Sequence, residues 1–336
     1  MAANGNAPKP EADEVRGKVT RTENRALAVV KKVPLPWWAL IVLVGATAAV
    51  SPYILMPSNL IHLVRQGVPG AILALGETFV ILAGGFDLSI ASTVSLIAAV
   101  ASGEMAGKVG NIFPTVALSL SIAAAIGLIN GLAVTKLKVP SFLTTLGMMI
   151  ALQGAALVYT GGMPVGGFPE EFRALGVGRL LGVPYLIWIL VIVIVLSQIF
   201  LKKTALGRSI LSVGGNDLAC HLMGIRVNRV RILTFVLSSV FAAVGTLLMV
   251  TTFRVWDSSM GKGMHFEAIT MVIVGGAALG GGRGSAVTTI LGWLVMTMLF
   301  TFLNLVGFPE AGRFIVEGVI ILLAVAANRE ALMRVQ

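Results

Sequence analysis

The chain has 336 residues, 57% of them hydrophobic and only 12% charged, with a formal net charge of +10. A soluble domain carries about 25% charged residues, so this composition, with repeated apolar runs of about 20 residues, excludes a soluble globular protein and predicts an all-α polytopic membrane protein. The single cysteine, Cys220, excludes an intrachain disulfide, and the three scattered histidines, His62, His221 and His265, offer no metal-ligand cluster.

Residues 1–33 are polar and rich in Pro, Asn, Glu, Lys and Arg, which predicts a disordered tail. Lys31-Lys32 precede the first apolar run and hold the N-terminus in the cytoplasm, and Trp37-Trp38 mark the membrane interface. About ten spans follow, near 37–56, 61–83, 88–106, 112–134, 140–160, 184–201, 230–251, 264–281, 285–305 and 312–328. Gly84-Gly85 and Gly280-Gly281-Gly282 interrupt the second and third and the eighth and ninth of these, which predicts broken or re-entrant helices there. With both ends inside, Lys136, Lys138, the 202–231 loop, Arg283, Arg329 and Arg334 all fall in the cytoplasm. The positive charge is then accounted for by loops facing the anionic leaflet and not by nucleic acid. The Gly- and Pro-rich stretch from Gly161 to Tyr185 lies outside, either as a connector or as a docking surface. The strings LGETFVILAGG and FEAITMVIVGG, at 75–85 and 266–276, share a Glu, an apolar run and Gly-Gly.

Two stretches carry the functional signal. The first runs from Gly76 to Ser89 and places two acids, Glu77 and Asp87, among apolar residues. A charged side chain at mid-membrane costs about 2.5–3.5 kcal/mol, so such a residue has a task. Gly84-Gly85 loosens the helix, and Asp87 and Ser89 then cap the segment that follows or line a polar path. The second runs from Lys202 to Arg231, with six basic residues, Lys202, Lys203, Arg208, Arg226, Arg229 and Arg231, against one acid, Asp217. A short helix is legible inside it. Asn216 is a good N-cap, Asp217 sits in the first turn and Gly224 takes the left-handed position after the end. About two turns cannot stand alone in water, so Leu218, Leu222 and Met223 need a packing partner. Asn130, Gln153 and Asn304 are polar residues in apolar runs, and Phe142 and Trp293 are aromatic ones; each is interhelical packing or path lining.

Several of these strings resemble, in order, the ribose-type sugar permeases of bacterial ABC importers. Gly84-Gly85-Phe86-Asp87-Leu88-Ser89-Ile90-Ala91 is similar to that family's Gly-Gly-Ile-Asp-Leu-Ser-Val-Gly signature, and Val139-Pro140-Ser141-Phe142-Leu143-Thr144-Thr145-Leu146-Gly147 to its Pro-x-Phe-Ile-x-Thr-Leu-Gly element. Asn130-Gly131, Gly161-Gly162, Ile273-Val274-Gly275-Gly276 and Leu279-Gly280-Gly281-Gly282-Arg283-Gly284-Ser285 follow the same order. GRSILSVGGNDLACHLMGIRV, at 207–227, looks like the family's loop bearing the coupling helix, which docks on an ATP-binding subunit. His265 stands where the family has an acid, two residues before Glu267.

The resemblance implies a type II-like ABC importer permease architecture with a permease domain over 34–328 and a short tail at 329–336. It implies a bacterial inner-membrane location with both termini cytoplasmic. The partners implied are a second copy of the chain, two ATPase subunits holding ATP and Mg, membrane lipid, and a periplasmic or extracellular sugar-binding protein. The coupling role falls on Asn216, Asp217, Leu218, His221, Leu222, Met223 and Gly224. The path or helix-break role falls on Glu77, Gly84, Gly85, Asp87, Ser89, Asn130, Phe142, Gln153, Glu267 and Asn304. The chain itself has no phosphate-binding Gly-x-x-x-x-Gly-Lys-Ser/Thr loop and no assembled nucleophile and base, so it is read as a transport subunit and not an enzyme, with no cofactor of its own. Two other readings stay open. One is a branched-chain amino-acid permease of the same superfamily, in which Asn usually replaces Asp87. The other is an ion-coupled transporter using Glu77, Asp87, Glu267 or Glu317.

Overall fold

The structure, a computed structural model, describes residues 34–253, 256–257 and 259–327. The tails expected at 1–33 and 329–336, with Arg329 and Arg334, lie outside the described residues. The helices, numbered in chain order, are α1 (Leu35–Val50), α2 (Pro57–Leu82), α3 (Ile90–Met105), α4 (Ile112–Lys136), α5 (Ser141–Thr160), α6 (Glu170–Val177), α7 (Tyr185–Lys203), α8 (Ala205–Gly215), α9 (Asp217–Leu222), α10 (Val227–Val250), α11 (Met264–Val274), α12 (Ala286–Leu305) and α13 (Glu310–Ala327). A hairpin of β1 (Arg179–Leu180) and β2 (Val183–Pro184) lies between α6 and α7.

Each of the ten expected spans coincides with a helix, and five of these helices (α4, α5, α7, α10 and α12) are long and apolar enough to cross a membrane on those grounds alone. The eighth expected span is corrected. Its helix, α11, stops at Val274, and eleven residues reach roughly 16 Å, half of a hydrocarbon core of about 30 Å. The chain then turns through 275–284 and returns as α12. The glycine breaks thus act as helix stops. Gly84 N–H donates to Ile81 O and Gly85 N–H to Val80 O, and Gly276 N–H donates to Ile273 O and Ala277 N–H to Val272 O. With Gly84 and Gly276 at φ 81° and 95°, both are the same left-handed C-cap. The two sequence strings that share Gly-Gly therefore share a local structure.

The bundle is built around α10, which packs on α2, α3 and α4. The approach of α4 to α10 is close because Gly127 and Gly131, four residues apart, lie on the shared face. A Cβ added at Gly127 would come within 2.5 Å of Phe235 O, and one at Gly131 within 2.7 Å of Ile232 Cα. In lipid, helix association rests on van der Waals contact and small residues permit it. By contrast α5 and α7 form an outer layer, with 17% and 22% of their apolar windows buried against 56% for α10.

The stretch from 161 to 184 is folded. Phe168 stacks on Phe172, both are buried, and Ser102 Oγ donates to Val165 O at 2.5 Å. Leu181 and Gly182 both take positive φ (54° and 79°), as a two-residue hairpin turn demands. Trp256, buried in the next loop at this end of the bundle, donates from its indole N–H to Ser95 O at 3.0 Å.

Gly127→Ala is expected to lower the thermal transition of the detergent-purified chain, at a cost of about 1–3 kcal/mol for overpacking. Gly147→Ala, where an added Cβ meets nothing within 4 Å, is expected to leave it unchanged. Equal transitions for the two variants would contradict the close α4–α10 contact.

Candidate functional site

The break after α2 is held by a polar network. Asp87 is fully buried. Its Oδ1 accepts from Ser89 N at 3.1 Å and Ser89 Oγ at 2.5 Å, and its Oδ2 accepts from Ser238 Oγ of α10 at 2.9 Å. Asp87 N donates to Glu77 Oε1 at 3.1 Å, and Asn130 Nδ2 of α4 donates to Ser89 Oγ at 2.9 Å. Four elements, α2, the break, α4 and α10, meet in the network around Asp87 and Ser89, and the break and α10 supply the donors to the carboxylate. Gly76 makes the approach possible, since a Cβ there would lie 3.0 Å from Ser238 O. Glu77 Oε2 and Asn130 Oδ1 are buried without a hydrogen-bond partner among the described residues.

The start of α5 closes the break from the other side. Ser141 Oγ accepts from Phe86 N at 3.3 Å, and Thr145 Oγ1 donates to Phe86 O at 3.3 Å. Both backbone groups of Phe86 are thereby satisfied by hydroxyls one helical turn apart. This gives the Pro-Ser-Phe-Leu-Thr-Thr stretch a physical role, but through Ser141 and Thr145. Phe142, the residue singled out in the sequence, is 52% exposed. Ser89 also departs from expectation. It stands at the N-cap of α3 but makes no side-chain cap hydrogen bond, because its hydroxyl is committed to Asp87 and Asn130.

The remaining expected path residues fall elsewhere. Gly84 and Gly85 line a cavity of about 570 Å³ with Lys138, Ser141, Asn228 and Arg231. Glu267 and Asn304 share a cavity of about 540 Å³ with Arg65, Gln66, Trp293 and Arg313 at the opposite end of the bundle. There Arg313 donates to Asn304 Oδ1. Gln153, exposed on α5, lines a third cavity of about 230 Å³ with Ser92, Ser95, Lys262 and His265. Glu317 is buried beside Thr270, whose hydroxyl donates to it at 3.5 Å. Among the described residues no group of three or more His, Cys, Asp and Glu is placed to hold a metal.

The short helix in the polar loop is α9, and its ends are built as its sequence requires. Asn216 Oδ1 accepts from Ala219 N at 2.8 Å. Gly224 at φ 81° donates to His221 O while Ile225 N donates to Cys220 O, a left-handed cap. Asp217 Oδ2 pairs with Arg231 Nη2 of α10 at 2.9 Å. The buried face of α9 is Cys220, set in an apolar cluster with Leu82, Leu201, Ile210, Val213 and Ala286. Its outer face is apolar too: Leu218, Leu222 and Met223 are 67%, 79% and 71% exposed, with His221 exposed among them.

A family model described as branched-chain amino acid transport system / permease component matches residues 59–325. The ribose import permease protein RbsC of Escherichia coli K12 is 38% identical over 296 residues, covering 87% of this chain and 92% of that protein. RbsC of Bacillus subtilis 168 is 34% identical over 297 residues, covering 88% and 92%. The L-arabinose transport system permease protein AraH of Escherichia coli K12 is 30% identical over 256 residues, covering 76% and 78%. No solved structure matches the chain.

Asp87→Ala is expected to leave Ser238 Oγ and Ser89 N unpaired, each worth about 1–3 kcal/mol, and so to lower folded yield and the thermal transition. Ser238→Ala, which removes one donor and leaves two, is expected to do so less. A wild-type transition in Asp87→Ala would remove this carboxylate from the organising role.

Proposed function

The chain belongs to the family of permease components of which the branched-chain amino acid transport system is the named example, and from that premise we propose that it is the membrane subunit of an ATP-driven importer carrying a monosaccharide. Relatives named for ribose and arabinose, aligned over most of their length, support the sugar. The Asp-Leu-Ser string at 87–89 supports it as well.

The observation that carries the ATP-driven part is α9. A six-residue helix, capped at both ends and tied to α10 by an ion pair, presents three large apolar side chains outward. Exposed Leu, Leu and Met on one rigid patch mark a protein interface. In this reading α9 seats in a groove of an ATPase subunit that binds ATP and Mg, and Leu218, Leu222 and Met223 are its anchors. The basic residues around it, Arg226, Arg229, Arg231 and Lys136, support a cytoplasmic position for this end. The opposite end, with α6, the hairpin and the 251–263 loop, then faces outward and receives sugar from a binding protein. The full reading has ten helices at membrane depth, with α11 re-entrant, two copies of the chain, two ATPase subunits and both termini cytoplasmic. ATP closure of the ATPases draws the two α9 helices together and re-gates the path between the copies.

The ion-coupled reading is the less supported. Asp87, its best placed acid, is spent on Ser89 and Ser238 inside the fold.

Replacing Leu218, Leu222 and Met223 together by Ser is expected to abolish co-purification of ATPase subunits from native membranes while leaving the yield of folded chain unchanged. Undiminished recovery of ATPase with the triple variant would sink the docking role of α9.

A further inference from the structure

Three glycine pairs far apart in the sequence meet at one point. Gly214-Gly215 ends α8, just before the Asn216 cap of α9; Gly84-Gly85 ends α2; and Gly281-Gly282 lies in the turn between α11 and α12. The contact is backbone on backbone. A Cβ at Gly214 would lie 1.9 Å from Leu82 O and 2.5 Å from Gly282 N. One at Gly281 would lie 2.8 Å from both Gly214 Cα and Gly84 N, and one at Gly282 would lie 2.8 Å from Gly215 Cα. Gly282 N donates to Leu82 O at 2.9 Å, which joins the two helix breaks directly. Beneath this point the Cys220 cluster packs α9, α8, the end of α2 and Ala286 at the start of α12 into one apolar body. Side chains at a contact can repack under load, whereas main chain on main chain has no rotamer to yield.

Resting on the importer reading, we infer that Gly214 is a positioning residue through which movement of α9 reaches both helix breaks at once. The stop of α2 carries the Asp87 network, and the turn at 275–284 carries α11 and α12. Gly214 presses on the last carbonyl of α2 and on the turn together. A displacement of α9 along the membrane normal is thus passed to both helix breaks as one rigid motion, with no intermediate side chain. Nothing in the docking surface of α9 itself requires this: Gly214 is only partly exposed and lies outside the apolar patch of Leu218, Leu222 and Met223.

The test compares neighbours in the assembled importer, reconstituted with its ATPase subunits and binding protein. An added Cβ at Gly215 meets nothing within 4 Å, so Gly215→Ala is the matched control for Gly214→Ala. Gly214→Ala is expected to retain co-purifying ATPase and basal ATP hydrolysis. Sugar taken up per ATP hydrolysed is expected to fall about 5- to 150-fold, the span of a typical coupling between sites, with Gly215→Ala at the wild-type ratio. A wild-type ratio in Gly214→Ala, or an equal fall in both variants, would overturn the inference. A second measurement does not depend on the Gly214 variant. Gly215→Cys joined to Arg283→Cys by a short bismaleimide, with the buried Cys220 left in place, is expected to leave uptake unchanged because the two sides move together. Loss of uptake on cross-linking would show that they separate during the cycle. Failure of the unaltered chain to bring down any ATPase would instead defeat the importer reading itself.

Discussion

One carboxylate in the interior of the bundle sets the arrangement of the rest. Asp87 accepts three hydrogen bonds from Ser89 and Ser238 and offers its own N–H to Glu77. A charge or a polar group in the hydrocarbon layer persists only where the protein replaces the lost water. The chain meets that demand by breaking a helix at Gly84-Gly85: the freed peptide groups of Phe86, Asp87 and Ser89 are satisfied by Ser141 and Thr145 of α5, by Glu77 of α2 and by Asp87 itself, while Ser238 of α10 and Asn130 of α4 bond the side chains of Asp87 and Ser89. The break in turn fixes where α3 begins and holds α2 against α10. Packing alone would not specify this register, because Leu and Ala surfaces slide over one another at small cost, whereas a misplaced carboxylate would leave several groups unpaired together.

The second break obeys the same local rule with different supports. Gly276 stops α11 with the geometry of Gly84, and the returning α12 begins with a capping box in which Ser285 and Thr288 satisfy each other's backbone N–H groups. Thr78 and Thr289 share a hydrogen bond of 2.7 Å between α2 and α12, linking the two broken regions in the interior. The fold therefore concentrates its irregular backbone where neighbouring helices cover it. In the proposed importer this is also where movement is useful, since a stopped helix can tilt without stretching a continuous hydrogen-bond ladder.

Local features of this structure were legible in the sequence and distant ones were not. Asn216 and Gly224 announce the ends of α9 because caps depend on residues a few positions away. Gly84-Gly85 announces the first interruption for the same reason, whereas the second helix stops at Gly275-Gly276, ahead of the Gly280-Gly281-Gly282 run. Hydropathy locates the apolar segments but overstates α11, because Ala277, Ala278 and Leu279 prolong the apolar run beyond Gly275-Gly276, where the helix has already stopped. The partners of Asp87 are another matter. Ser238 is 151 residues away and sits in an apolar run where a serine reads as a small packing residue. Phe142 is more conspicuous in the sequence than Ser141 and Thr145, although hydroxyls four residues apart on one helix face are a usable sign. The fold of 161–184 was hidden by its Gly and Pro content, which marks turns whether or not the residues between them pack. The meeting of Gly214 with Leu82 and Gly282 has no sequence signal beyond the glycines themselves.

The central claim is that ATP hydrolysis by partner subunits, and not an ion gradient, drives a sugar through this chain. It is tested most directly by release of enclosed labelled ribose or arabinose from proteoliposomes holding the chain, its co-purified ATPase subunits and its binding protein, with the ATPases facing outward and the binding protein enclosed. Movement of sugar from the lumen to the ATPase side that requires added MgATP and is untouched by a protonophore is the predicted result. Movement that proceeds without ATP and collapses with the proton gradient would contradict the account.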